Sequence, residues 1–162
     1  MKTNKRKINF FRKLLATLVV SLVVCSTNIT TLATEEQNED IAYTWEDVEL
    51  LANLMYFEEG CFLYDEQGEY ILKLAGSVVV HRKNSELYPD TIYDVIYQKG
   101  QYPTTNKFGT QEIPEIIYQW AEDLLRDGPL GPENLIFQSR FKQGEEVYFE
   151  YKGEYFCLGN LE

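Results

Sequence analysis

Tyr70-Ile-Leu-Lys-Leu-Ala-Gly-Ser-Val-Val-Val80 is the stretch whose reading decides the fold. It is apolar nearly all round and longer than a typical strand, so it is expected to be a buried helix ending near Lys83. Val78-Val79-Val80 leaves a strand open as the alternative, because β-branched residues favour extended backbone. A chain that spends so much apolar sequence on one element must wrap its other elements around it. Upstream, Thr44 fits an N-cap, with Glu46 and Asp47 in a first turn where negative charge is favoured. Val48, Leu51, Ala52 and Met55 follow at helical spacing, so a first helix is expected to about Glu58. Asp65-Glu66-Gln67-Gly68 breaks the pattern between the two helices.

Downstream, Pro89-Asp90-Thr91 opens a short helix through Tyr97, which Gly100 stops. Thr104 to Glu112 reads as a polar loop carrying Gly109. Pro114 stands in the first turn of a further helix with an apolar face of Ile117, Trp120, Ala121 and Leu124, ended by Asp127-Gly128-Pro129. The remainder is extended: Leu135 to Ser139, Glu146 to Tyr151, and Tyr155 to Leu158. Lys152-Gly153 between the last two predicts a C-terminal hairpin. The expected class is α+β, one mostly helical domain with a small antiparallel sheet.

The chain of 162 residues suits a single domain. Residues 1–33 differ in character. Lys2, Lys5, Arg6, Lys7, Arg12 and Lys13 precede the apolar run Leu14 to Val24, which is short for a bilayer span but suits a secretory signal. Cleavage is expected after Ala33, with an uncleaved membrane anchor as the alternative; 34–43 reads as a polar linker and 44–162 as the working domain. Residues 34–162 carry nine basic against 26 acidic side chains, a net charge of −17 compared with −11 for the whole chain. Such an acidic domain repels nucleic acid and anionic membrane surfaces, and a neutral or amphoteric polymer such as a glycan is the better partner.

Of three cysteines, Cys25 lies in the signal. Cys61 and Cys157 remain, either as a disulfide or as two buried thiols. With His81 the only histidine, neither a zinc-type spacing nor an imidazole-dependent triad is apparent, and no metal or cofactor is expected. His81 itself reads as a structural residue. Glu58 draws attention on spacing alone. It follows Leu54 by four and Leu51 by seven, at the edge of the apolar stripe, with Phe57, Cys61 and Phe62 beside it. A carboxyl there loses hydration, which favours its protonated form, the form a general acid needs; the alternative is a solvated glutamate at a helix end. Glu59 points about a hundred degrees away and is expected at the surface. Tyr56, Tyr64, Tyr97, Tyr102, Tyr148 and Tyr155 offer rings for stacking on sugars, or for ordinary packing.

Leu51-Ala-Asn-Leu-Met-Tyr-Phe-Glu-Glu-Gly60, Ala75-Gly-Ser-Val-Val-Val-His-Arg82, Tyr88-Pro-Asp-Thr-Ile-Tyr-Asp-Val-Ile-Tyr-Gln-Lys-Gly-Gln-Tyr102 and Pro132-Glu-Asn-Leu-Ile-Phe-Gln138 together resemble successive blocks of the cell wall hydrolase family typified by the spore-cortex-lytic enzyme SleB. The resemblance runs from about Trp45 to Leu158. It implies a lysozyme-like, lytic-transglycosylase-like fold with a groove between the helices and the sheet. It also implies a peptidoglycan-degrading glycosidase, either lytic transglycosylase or muramidase, with glycan strands as partner and a secreted, wall-associated, monomeric protein. Glu58 would be the catalytic acid, and Gln101, Tyr102, Gln138 and Tyr155 would line the groove. Phe57 stands where the family carries a small residue, Glu59-Gly60 shortens the motif after the glutamate, and His81 replaces an asparagine. A wall-binding module on the same fold, without turnover, is the alternative.

Overall fold

The structure, a computed structural model, describes residues 43–161; the expected signal segment, most of the linker and Cys25 lie outside them. Helix α1 spans Trp45–Glu59 and starts as its sequence predicts. The Thr44 hydroxyl accepts from the Asp47 backbone N–H at 3.2 Å, and the Asp47 carboxylate accepts from the Thr44 N–H at 2.8 Å. This capping box satisfies two otherwise orphaned donors. The stretch from Tyr70 is indeed helical: α2 runs Gly68–Asn84, and every residue from Leu74 to Arg82 is buried. Its burial on all sides explains the missing polar stripe, because α1, α3, α4 and the sheet each take part of its circumference. Val78-Val79-Val80 lies inside this helix, so the strand alternative falls; packing outweighs the small propensity cost of β-branched residues.

Helix α3, Ile92–Ile96, is capped by the Thr91 hydroxyl, which accepts from the Asp94 N–H at 3.0 Å. The polar loop expected after it opens with a 3₁₀ turn, Pro103–Lys107, where proline at the first position fixes φ in advance. Helix α4, Glu115–Asp127, buries Ile117, Ala121 and Leu124 along one face and ends at Gly128, whose φ of 99° suits a residue without a Cβ. Strands β1 (Leu135–Ser139), β2 (Glu146–Tyr151) and β3 (Glu154–Leu158) form an antiparallel sheet in the order β1-β3-β2. Lys152 and Gly153 both have positive φ, 48° and 87°, the twist a two-residue hairpin turn requires. Among the described residues the architecture is thus α+β, with four α-helices and one three-stranded antiparallel sheet.

Two tight places hold the layers in position. At Gly68 a Cβ would stand 2.2 Å from the Phe62 carbonyl oxygen and 2.8 Å from that of Leu63. Both are backbone atoms of the turn that follows α1, so nothing flexible can yield. Gly68→Ala is expected to cost about 1–3 kcal/mol, the range of core overpacking, read as a lower urea midpoint at unchanged slope. An unchanged midpoint would mean that the α1–α2 connection is looser than its geometry. The second place is Gly76, where the same atom would meet Leu124 at 2.6 Å and Met55 at 2.9 Å, side chains of α4 and α1.

The disulfide left open by the sequence is not formed. Cys61 is an exposed free thiol in the 3₁₀ turn Gly60–Phe62, and Cys157 is a free thiol wholly buried on β3. Their different surroundings separate them: one faces solvent beside α1, the other is sealed in the sheet.

Candidate functional site

The C-terminal end of α1, the first 3₁₀ turn, the Pro103–Lys107 turn and the near edge of the sheet meet around two adjacent glutamates. Glu58 is half-buried, and its Oε1 accepts a short hydrogen bond from the Thr104 hydroxyl. Glu59 is the surprise. It is 1% exposed, whereas it was expected at the surface. The reason lies in the helix stripe: Val48, Ala52, Met55 and Glu59 follow one another at spacings of four, three and four, all buried. Glu59 therefore continues the centre of the apolar face, and Glu58 sits at its margin. Glu59 is the more deeply buried of the two. Burial, reinforced by the nearby Glu154 carboxylate, pushes the Glu59 carboxyl up to about 8.

Gln138, on β1, donates from Nε2 to Glu59 Oε1 at 2.5 Å. Glu154 begins β3 and is 3% exposed; it pairs with Arg140 just beyond β1. Burial raises the Glu154 carboxyl as well, and the Arg140 guanidinium opposes that rise. Three carboxyl groups, from Glu58, Glu59 and Glu154, thus share one neighbourhood with one paired cation, Arg140. Among the described residues no cluster of His, Cys, Asp and Glu is arranged to hold a metal ion.

Arg82 fixes the other wall. Its Nε donates to the Ile136 carbonyl at 2.8 Å, and its Nη1 donates to Gln101 Oε1 at 2.8 Å and to the Tyr102 hydroxyl at 3.3 Å. The guanidinium also lies over the rings of Tyr88 and Tyr102. One side chain from α2 therefore joins β1 to the loop that carries Gln101, Tyr102 and Thr104. Burial raises the Tyr102 hydroxyl, which the Arg82 charge resists and the Glu58 charge assists. Gln101 itself is exposed and Tyr102 buried.

An aromatic ladder leads away from Glu58. Phe57 stacks on Phe108 at 5.8 Å, Tyr97 meets Phe108 edge-on at 6.4 Å, and Tyr93 lies 4.6 Å from Tyr97. Tyr93 and Tyr97 are both exposed, at 53% and 44%. Their rings are apolar surface of the kind that covers a sugar face.

The residues singled out by sequence are therefore partly brought together. Gln138 bonds to Glu59 and Tyr102 lies near Glu58, while Gln101 is tied to Tyr102 through Arg82. Tyr155 does not join them: it stands on the opposite face of β3 from Glu154 and Phe156, with Lys142 over its ring. His81 is a structural residue. Its Nε2–H donates to the Leu130 carbonyl at 3.0 Å, and burial holds its pKa below the ordinary value. Sequence reasoning missed Thr104, Arg140 and Glu154. Only Glu154 left a signal, sharing a strand face with Phe156 by its spacing of two. Two cavities, of about 610 and 290 Å³, open elsewhere, one beside His81 and Glu133 and the other beside Tyr43 and Thr91; neither is lined by Glu58.

A family model described as Cell Wall Hydrolase matches residues 71–153. The match takes in Arg82, Gln101, Tyr102, Thr104, Gln138 and Arg140, and begins after Glu58 and Glu59. No curated protein and no solved structure matches the chain.

Proposed function

The chain belongs to the cell wall hydrolase family, and from that premise we propose that it cleaves the glycan strands of peptidoglycan between N-acetylmuramic acid and N-acetylglucosamine, with Glu58 as the acid. The family implies a hydrolytic enzyme acting on the cell wall; the bond and the residue are our reading. The observation that carries it is the Glu58 carboxyl, half-buried and oriented by Thr104, at the point where α1, the Arg82-bound loop and the aromatic ladder converge.

The chemistry follows from that placement. Protonated Glu58 gives its proton to the glycosidic oxygen as the carbon–oxygen bond breaks, which leaves an oxocarbenium-like sugar and a free hydroxyl on the leaving strand. Two fates are open to the cation. Attack by the sugar's own 6-hydroxyl, with its proton passing back to Glu58, gives an anhydro end; attack by water gives a reducing end. Glu154 is committed to Arg140, which supports the first route, because that route needs no second free carboxylate. Exposed Tyr93 and Tyr97 suit successive sugar rings, and Gln101, Tyr102 and Gln138 would border the groove. A lysozyme-like groove belongs to the same reading. So do secretion by the expected signal at 1–33, a monomeric state, and action outside the cytoplasm; among the described residues no helix is long and apolar enough to cross a membrane.

Mass spectrometry of purified peptidoglycan digested with the protein distinguishes the routes. Anhydro-muropeptides are the expected product. Reducing ends would keep the acid and replace the 6-hydroxyl by water. Release of peptides with intact glycan strands would contradict the proposal.

A further inference from the structure

We propose that Glu59 works as a neutral carboxylic acid, closed onto Gln138 in a two-point carboxyl–carboxamide pair that positions its neighbour Glu58. The inference rests on reading Glu58 as the acid.

Two buried atoms have no hydrogen-bond partner among the described residues: Glu59 Oε2 and Gln138 Oε1. They are the free halves of the two groups already joined by the 2.5 Å bond from Gln138 Nε2 to Glu59 Oε1. Both are acceptors, so an ionised Glu59 leaves both unsatisfied, at the cost such buried groups carry. One proton on Glu59 Oε2 supplies the missing donor. The O–H then donates to Gln138 Oε1, the N–H donates to Glu59 Oε1, and an eight-membered ring closes with every facing atom used. Turning the amide over does not rescue the ionised form, because it sets oxygen against oxygen at the same short distance.

The surroundings point the same way. Glu59 is faced by Glu58 on its own helix, the Cys61 thiol from the turn beyond, Gln138 and Arg140 from β1 and its end, and Glu154 from β3. The one cation is bonded to Glu154. Carboxylates this close do not all ionise together, and the most buried one keeps its proton. A neutral Glu59 clamps the end of α1 to β1 without adding charge beside Glu58. Ionisation breaks one of the two clamping bonds and sets a second negative charge next to the acid.

The folded carboxyl binds its proton more tightly than the unfolded one. Its stabilising contribution is therefore complete below the ordinary value of 4.5 and is lost as pH rises through about 8. The experiment uses the full chain and three readouts. Difference infrared spectroscopy, native against Glu59→Gln, is expected to show the carbonyl stretch of a protonated carboxylic acid at neutral pH, vanishing above about pH 8. The thermal midpoint of the native protein should fall, relative to that of Glu59→Gln, as pH rises across the same window. Glutamine reproduces both bonds of the neutral acid, so Glu59→Gln should retain far more turnover than Glu59→Leu, and its alkaline limb should move. An ionised Glu59 at neutral pH, or parallel pH profiles for native and Glu59→Gln, would overturn the proposal. Should Glu59→Gln fail to fold, the native infrared titration and the Gln138→Leu variant decide alone. The spectroscopic and thermal readouts need no turnover, so the pair can fail while the Glu58 reading stands, and the reverse.

Discussion

Glu58→Gln is expected to lower turnover on peptidoglycan by about 10²–10⁴-fold, the range a positioned general acid contributes, while the fold and wall binding persist. The amide has the same shape and keeps an oxygen to accept from Thr104, but it has no proton to give the leaving oxygen. Because the side chain is only half-buried at the margin of the apolar stripe, the exchange removes no core contact. Initial rates of muropeptide release, set beside the thermal midpoint and sedimentation with wall sacculi, check this. Loss of rate with unchanged midpoint and binding is the predicted pattern. A variant that neither folds nor binds would show Glu58 to be structural.

The second large effect is expected at Arg82. Arg82→Leu leaves the Ile136 carbonyl, the Gln101 amide oxygen and the Tyr102 hydroxyl without their donor. Charge-assisted hydrogen bonds are worth about 1.5–3 kcal/mol each, so losing the two at 2.8 Å is expected to cost about 3–6 kcal/mol. Urea unfolding measures it. Arg82→Lys should recover only part, since an ammonium cannot form the planar fork that serves two directions at once. The Lys variant should also lose turnover beyond its loss of stability, because the loop carrying Thr104 is no longer tied to β1. A cost under about 1 kcal/mol for Arg82→Leu would mean that water replaces the guanidinium.

Much of the fold was legible because local chemistry and tertiary packing agreed. Thr44 and Thr91 each cap the helix that follows, Gly128 ends α4, and Lys152-Gly153 turns the hairpin, all as their residue types predict. The length of the apolar run decided α2 as a helix although three valines in succession pulled the other way. The site was legible only in part. Glu58 stood out through its place on the stripe, but the same stripe runs through Met55 to Glu59, and a charged residue on that line was assigned to solvent. What reversed it was Gln138, more than seventy residues away, supplying a buried partner that no local pattern announces. Thr104 and Arg140 are set by loops whose course depends on Arg82 and on the sheet. Tyr155 shows the converse: its block joins the sheet as expected, yet alternation along β3 turns the ring away from the glutamates.

The central claim, a glycan-cleaving acid at Glu58, is tested most directly by incubating purified peptidoglycan with native protein and with Glu58→Gln and weighing the soluble products. The account predicts glycan fragments with new anhydro or reducing ends from the native protein and none above background from the variant. Equal release from both proteins, or none from a folded and wall-bound native protein, would contradict it.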